Sequence, residues 1–243
     1  MNKNKLFNGI YNYTVIATYM GMLCGFCAIP TLFAGQVRTA IILLMVAGLF
    51  DMFDGKIAST KKNRTPSEKK FGIQIDSLSD IICFGVLPGF ITYVISGKSQ
   101  IALICGGAYM LCALIRLAYF NVLEGNRQQT EGGCNKGYRG LPVTSIAFIL
   151  PMVFLFQFFM SELAFLSLLH LVLLVVGFLF ILDFPLPKPG LKTILSLMGV
   201  LAVSVGIILI YTKYRLPPHT DRTSHIVEEV EELFEDIYET ETP

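Results

Sequence analysis

The segment GLFDMFDGKIASTKKNRTPSEKKFGIQIDSLSD, residues 48–80, decides how the chain is interpreted. Both of its ends continue into apolar runs that are long enough to cross a membrane. Yet these ends carry four carboxylates, on Asp51, Asp54, Asp76 and Asp80. Ionisable side chains within membrane-spanning segments are costly, so their presence points to a functional site.

The composition indicates an integral membrane protein. Hydrophobic residues make up 53% of the 243 residues, charged residues 15%, and the mean hydropathy is +0.62. Soluble domains carry about 25% charged residues. The net charge of +1 says little about partners, because the charges are segregated along the chain.

Seven apolar runs are candidates for membrane spans. The first lies between Lys5 and Arg38, where no Lys, Arg, Asp or Glu occurs. The others lie at roughly 37–58, 72–95, 100–122, 142–160, 163–182 and 192–212. Because lipid offers backbone groups no partners, we predict an all-α polytopic membrane helix bundle with six core transmembrane helices and an additional seventh. The predicted divisions are a membrane domain at 1–190, the extra helix within 191–217, and an acidic amphipathic or disordered tail at 218–243.

The loops predict the orientation of the bundle. Lysines and arginines concentrate in the loops at 59–71, 124–140 and 183–192, whereas the intervening loops are short and poor in cations. By the positive-inside rule the cation-rich loops face the cytoplasm. We therefore expect a multi-pass protein of the cell membrane whose aspartate-bearing helix ends open toward the cytoplasm.

The spacing of the aspartates predicts a metal site. Asp51 and Asp54 are three residues apart, and Asp76 and Asp80 are four apart, so each pair shares one face of its helix. The short connecting loop predicts that the two helices are antiparallel neighbours. Four carboxylates facing one pocket repel each other unless a cation joins them, and oxygen-rich sites suit Mg²⁺ or Mn²⁺. Four solvated or helix-capping acids at a membrane edge are the alternative.

Small residues beside the carboxylates suggest room for a large ligand. Gly55 follows Asp54 directly, Ala58 lies one turn later, and Gly72 lies one turn before Asp76. Glycine is unfavourable inside a helix, so these positions indicate close approach of a ligand to the backbone. A phosphate-bearing nucleotide at the headgroup level fits such a pocket.

The two motifs together resemble a known signature. Asp51-x-x-Asp54-Gly55-x-x-Ala58 followed by Gly72-x-x-x-Asp76-x-x-x-Asp80 is similar to that of the CDP-alcohol phosphatidyltransferase family. The similarity covers roughly residues 8–190. Members of that family are six-helix membrane enzymes that exchange the CMP of a CDP-linked lipid for an alcohol.

The resemblance implies roles for individual residues. It implies two divalent ions, Mg²⁺ or Mn²⁺, held by Asp51, Asp54, Asp76 and Asp80, with Asp80 also serving as general base. It implies a site for the CDP group at Gly55, Ala58, Ser59 and Gly72. It further implies CDP-diacylglycerol as a substrate, contact with membrane lipid, a homodimer and no nucleic-acid partner.

The loop after the first motif departs from the family pattern. The family usually has arginine directly after the alanine, where this chain has Ser59. In the family eight residues then separate this position from the second glycine, whereas here twelve residues, 60–71, lie between Ser59 and Gly72. A cation for the diphosphate therefore has to come from elsewhere, and Lys61, Lys62 and Arg64 are the candidates. Positive-inside topology explains these three cations equally well.

The flanking segments resemble the phosphatidylserine synthase branch of the family. They are FGIQIDSLSDIICFGVLP (71–88), IRLAYFN (115–121), YRGLPV (138–143) and FPLPKP (184–189). This resemblance implies L-serine as the acceptor. Arg116 and Arg139 are the candidates for binding its carboxylate, and snorkelling at a helix end is the alternative for both.

Two rival functions stay open at this point. The first keeps the reaction and changes the acceptor to glycerol 3-phosphate or inositol phosphate, which would need a denser cationic pocket. The second is an ion-coupled transporter, which predicts acids near the bilayer midplane and internal repeats. Here the acids lie at one membrane boundary, and the sequence shows no repeat.

Overall fold

The chain forms a bundle of α-helices in a computed structural model that describes residues 9–10, 12–129 and 137–187, together with 196, 199–200, 202–208 and 210. The α-helices of the described part are α1 (Ile16–Phe33), α2 (Val37–Thr60), α3 (Pro66–Asp80), α4 (Leu87–Ile95), α5 (Gln100–Gln129), α6 (Ile146–Leu155) and α7 (Glu162–Ile181). The all-α membrane bundle predicted from composition is thereby confirmed. A small addition was not anticipated: β1 (Gly137–Arg139) pairs antiparallel with β2 (Pro185–Pro187).

Four helical segments are long and apolar enough to cross a membrane, among the described residues. They are Tyr13–Phe33, Pro66–Ile95, Gln100–Gly125 and Glu162–Ile181. Two further helices are not among these four. Helix α2 has 24 residues but carries the first aspartate pair, and the apolar helix Val143–Phe158 is too short. These six segments overlap the six predicted core spans, and a membrane crossing by α2 and by Val143–Phe158 stays a prediction.

The C-terminal region is described only in part. The chain divides into two compact units, Met1–Val205 and Gly206–Pro243, and the candidate site belongs to the first. The predicted seventh span is helical at its described positions, 196, 199–200, 202–208 and 210. The predicted tail at 218–243 lies outside the described residues, so the predicted domain boundaries stay predictions.

The third span begins earlier than the sequence predicted. We expected a loop to residue 71, but α3 begins at Pro66 because a capping box stabilises its first turn. The Thr65 hydroxyl accepts a hydrogen bond from the Glu68 amide at 3.2 Å, and the Glu68 carboxylate accepts one from the Thr65 amide at 2.9 Å. Proline at the first helical position loses no hydrogen bond there.

A π-helical turn at Ile81–Val86 joins α3 to α4 within the same span. The segment therefore runs as one helical unit from the cytoplasmic loop predicted by the charges into the bundle. Helix α4 then packs closely against α5 through two glycines. A Cβ on Gly89 would lie 3.4 Å from the Gly106 carbonyl oxygen.

Replacing Gly106 by valine should destabilise the bundle. A Cβ there would lie 3.3 Å from the backbone of Gly89, which cannot move aside without separating α4 from α5. We expect a loss of about 1–3 kcal/mol in the free energy of unfolding, measured by denaturation in detergent. Gly107→Val is the matched control, because nothing lies within 4 Å of a Cβ at Gly107. Equal losses in both variants would contradict close packing at Gly106.

Candidate active site

Three of the predicted aspartates converge on one point. Asp51 comes from α2, and Asp76 and Asp80 come from α3. Each offers a carboxylate oxygen, and the three oxygens lie within 4.8 Å of one another. This spacing suits oxygen ligands around a shared divalent cation, as the helical periodicity predicted.

Asp54 lies beside this group and is held by α1. Its Oδ2 accepts a hydrogen bond of 3.0 Å from the Thr18 hydroxyl, and only 9% of the residue is exposed. Asp54 lines the same cavity as Asp51, Asp76 and Asp80. The structure therefore gathers all four predicted aspartates at one cavity, with three of them placed to share a cation. A ligand role for Asp54 stays a prediction.

The cavity that the aspartates share has small or apolar walls. In addition to the four acids, it is lined by Thr18, Gly21, Ala47, Ser79, Cys83 and Phe84. No lysine or arginine is among the described residues that line it. Removing carboxylates from water is costly, and their mutual repulsion is strong in a medium of low dielectric constant.

The residues present fit a divalent cation. Asp76 Oδ1 is buried and has no hydrogen-bond partner among the described residues, although buried polar atoms are normally paired. Together with the oxygens of Asp51 and Asp80 it forms a hard, anionic donor set of the kind that Mg²⁺ or Mn²⁺ prefers. The identity and number of the ions stay predictions.

The predicted CDP-binding residues of α2 lie near its C-terminal end. Gly55 is exposed, and a Cβ at this position would meet nothing within 4 Å, so the backbone is open to an approaching ligand. Ala58 is half-buried, whereas Ser59 is exposed and its hydroxyl donates to the Lys56 carbonyl at 2.6 Å. The Ser59 hydroxyl is thus directed to its own helix. Their role in binding CDP stays a prediction.

Gly72 provides room for an arginine side chain. A Cβ at Gly72 would lie 2.6 Å from Nη2 of Arg64, and this nitrogen donates to the Glu68 carbonyl at 3.3 Å. The other two loop cations differ: Lys61 forms an ion pair of 2.6 Å with Glu68, and Lys62 is exposed. Arg64 thus packs against Gly72, one of the predicted CDP-binding residues.

Arg116 is not among the described residues that line the aspartate cavity. Its Nε donates to the Leu141 carbonyl at 3.3 Å, and its guanidinium lies 5.9 Å from the ring centre of Phe120. It lines a second cavity together with Asp183 and Tyr119. The backbone of Arg139 pairs with Pro185, and the Arg139 side chain lies outside the described part of the structure. Binding of an acceptor by either arginine stays a prediction.

Some residues of the site were missed by the sequence analysis. Thr18 supports Asp54 from α1, and Ser79 donates to the Thr18 carbonyl at 3.5 Å. Asn121 of α5 accepts a hydrogen bond of 2.8 Å from Ser77, which lies between the two aspartates of α3. The signal available was a hydroxyl inside an otherwise apolar span, and the contacts themselves are not encoded in local periodicity.

Known proteins resemble this chain over most of the described region. The family model described as CDP-alcohol phosphatidyltransferase matches residues 11–208. The archaetidylserine synthase of Methanothermobacter thermautotrophicus is 36% identical over 141 residues, 58% of this chain and 56% of the relative. The CDP-diacylglycerol–serine O-phosphatidyltransferase of Saccharomyces cerevisiae is 29% identical over 151 residues, 57% of this chain and 53% of the relative. The chain thus spans about half the length of these two relatives. The Bacillus subtilis protein of the same name is 27% identical over 133 residues, 54% of this chain and 72% of the relative.

Replacing Asp76 by asparagine should abolish high-affinity Mn²⁺ binding. The substitution keeps the shape of the side chain but removes its negative charge and replaces one of the two carboxylate oxygens by an amide group, at a residue whose Oδ1 is buried without a partner among the described residues. We expect the dissociation constant, measured by electron paramagnetic resonance titration in detergent, to rise more than about a hundredfold. Glu162→Gln, an exposed acid at the start of α7, is the control. Equal Mn²⁺ affinity in both variants would refute the site.

Replacing Thr18 by valine should weaken the same Mn²⁺ binding by about tenfold to a hundredfold, because Asp54 loses the hydrogen bond that orients it. Thr31→Val is the matched control on the same helix, since the Thr31 hydroxyl donates to the Ala28 carbonyl of that helix at 2.7 Å. The same titration measures both. An unchanged dissociation constant for Thr18→Val would show that Asp54 needs no support from α1.

Proposed function

Because the chain belongs to the CDP-alcohol phosphatidyltransferase family, we propose that it transfers the phosphatidyl group of CDP-diacylglycerol to L-serine. The products are phosphatidylserine and CMP. The observation that carries this proposal is the convergence of Asp51, Asp76 and Asp80 on one cavity within a membrane helix bundle. A bound diphosphate needs positive charge nearby. The carboxylates of this cavity would supply that charge by holding divalent cations.

The proposed reaction assigns the proton to Asp80. The carboxylate accepts the proton of the serine hydroxyl while the serine oxygen attacks the lipid-linked phosphorus. The bond between this phosphorus and the oxygen that bridges to CMP breaks, and CMP leaves with that oxygen. The contribution of Asp80 depends on its carboxylate being positioned next to the serine hydroxyl.

The aspartates also hold the divalent cations whose positive charge the phosphates require. In the proposed enzyme Asp51, Asp54, Asp76 and Asp80 bind the divalent cations, and the oxygens of Asp51, Asp76 and Asp80 lie within 4.8 Å of one another. When bound, these cations supply Lewis-acid neutralisation of the diphosphate and of the departing CMP. Gly55, Ala58, Ser59 and Gly72 line the CDP site, and the open backbone at Gly55 suits close contact with a phosphate.

The serine acceptor and the orientation are the finer parts of the proposal. L-serine is supported by the names of the relatives in Saccharomyces cerevisiae and Bacillus subtilis. Arg116 and Arg139 are proposed to bind the serine carboxylate. The cation-rich loops support a cytoplasmic site in the cell membrane. The acyl chains of CDP-diacylglycerol then remain in lipid while its diphosphate enters the aspartate cavity.

Release of CMP from CDP-diacylglycerol is the direct test. Purified protein with Mn²⁺ or Mg²⁺ should release CMP when L-serine is added, and Asp80→Asn should lower kcat by about a hundredfold or more. Glu162→Gln should retain the activity of the unmodified chain. Release with glycerol 3-phosphate but not with serine would overturn the acceptor. Turnover in the presence of a chelator would overturn the cation-dependent site.

A further inference from the structure

The π-helical turn directly after Asp80 sets the rotation of the aspartate helix. Within Ile81–Val86 the helix is wider than an α-helix, and the Leu87 amide donates to the carbonyl of Ile82, five residues earlier. Each additional residue in a helical turn rotates the segment before the turn by about 100° relative to the segment after it. Since α4 is locked against α5 at Gly89 and Gly106, the turn determines where α3 directs its carboxylates. Such turns are rare and are frequently found at functional sites.

Pro88 explains why the helix widens here. Proline has no amide hydrogen, and its ring collides with the carbonyl four residues earlier in a regular α-helix. That carbonyl belongs to Phe84, which lines the aspartate cavity and is 1% exposed. The Phe84 carbonyl therefore cannot receive its ordinary α-helical hydrogen bond and needs another donor.

Tyr109 of α5 supplies that donor. Its hydroxyl donates to the Phe84 carbonyl at 2.6 Å, and the residue is 0% exposed. The tyrosine ring packs against Phe180 with 5.5 Å between the ring centres. A Cβ on Gly177 would lie 3.3 Å from the Tyr109 Cα, so α7 confines this part of α5. The hydroxyl is thus delivered by a rigid framework to a single backbone atom.

We propose that Tyr109 is a positioning residue for the transferase reaction: its bond to the Phe84 carbonyl holds the widened turn that aims Asp80 into the cavity. The proposal rests on the proposed function for its catalytic readout. Tyr109 does not line the aspartate cavity, so it acts through the turn and touches no reacting atom. Pro88 lacks the amide hydrogen that the Phe84 carbonyl would otherwise accept, and the Tyr109 hydroxyl donates in its place.

Tyr109→Phe should lower kcat for CMP release by about tenfold or more, because small displacements of reacting groups are costly to the rate. The KM values for CDP-diacylglycerol and serine should stay within about twofold of the unmodified chain. Thr92→Val is the matched control, since Thr92 is 0% exposed in α4 and its hydroxyl has no hydrogen-bond partner among the described residues. It removes a buried hydroxyl without changing the turn.

Pro88→Ala tests the same turn by restoring the backbone amide that proline lacks. It returns an amide to position 88, so the helix can regain α-helical spacing and Phe84 can be satisfied without Tyr109. We expect a fall in kcat together with an unchanged or higher melting temperature, a combination that a purely structural role for Pro88 does not predict. In the double variant, Tyr109→Phe should add little further loss.

These measurements decide the proposal separately from the proposed function. If the unmodified chain is active, a kcat for Tyr109→Phe equal to that of Thr92→Val overturns the positioning role and leaves the transferase standing. Full activity in Pro88→Ala also overturns the positioning role. If Tyr109→Phe does not fold, the kcat of Pro88→Ala is the measurement that decides. If the unmodified chain releases no CMP, the proposed function fails and the positioning role fails with it.

Discussion

The structure depends on three carboxylates whose oxygens lie within 4.8 Å of one another, on Asp51, Asp76 and Asp80. Their repulsion in a cavity without a described lysine or arginine opposes folding unless positive charge enters from outside. This constraint couples the architecture to a ligand, since the arrangement that is costly on its own becomes favourable around a cation. The bundle therefore has to hold the three groups in place while leaving them accessible from one side.

Two groups of contacts surround the aspartates: buried contacts that hold them in place, and charged and polar contacts where the loop meets α3. In the interior, Thr18 fixes the fourth aspartate, and the turn after Asp80 fixes the rotation of α3. At the rim, the capping box at Thr65 starts α3 on the polar side, and Arg64 lies over Gly72 one turn before Asp76. Among the described residues, neither Arg64 nor any other lysine or arginine lines the cavity. This separation lets the carboxylates keep their own charge for a metal.

The aspartate motif was predictable because helical periodicity alone places residues three or four apart on one face. Hydropathy predicted the apolar helices separately, and four of them among the described residues are long and apolar enough to cross a membrane. Contacts between distant segments were not predictable, such as the pairing of β1 with β2 and the bond from Tyr109 to Phe84. Arg116 illustrates the difference: its charge within a span was evident, but the carbonyl of Leu141 that it contacts depends on the fold. A proline such as Pro88 signals a break in helical bonding without revealing which side chain repairs it.

The central claim is that the aspartate cluster holds a divalent cation against the diphosphate of a CDP-linked lipid. Crystals grown with MnCl₂ and CDP-diacylglycerol would test it through an anomalous difference map at the manganese edge. We predict a peak at coordination distance from the oxygens of Asp51, Asp76 and Asp80, with the diphosphate in contact with the same ion. A bound lipid whose diphosphate lies elsewhere, or manganese absent from the three carboxylates, would contradict this claim.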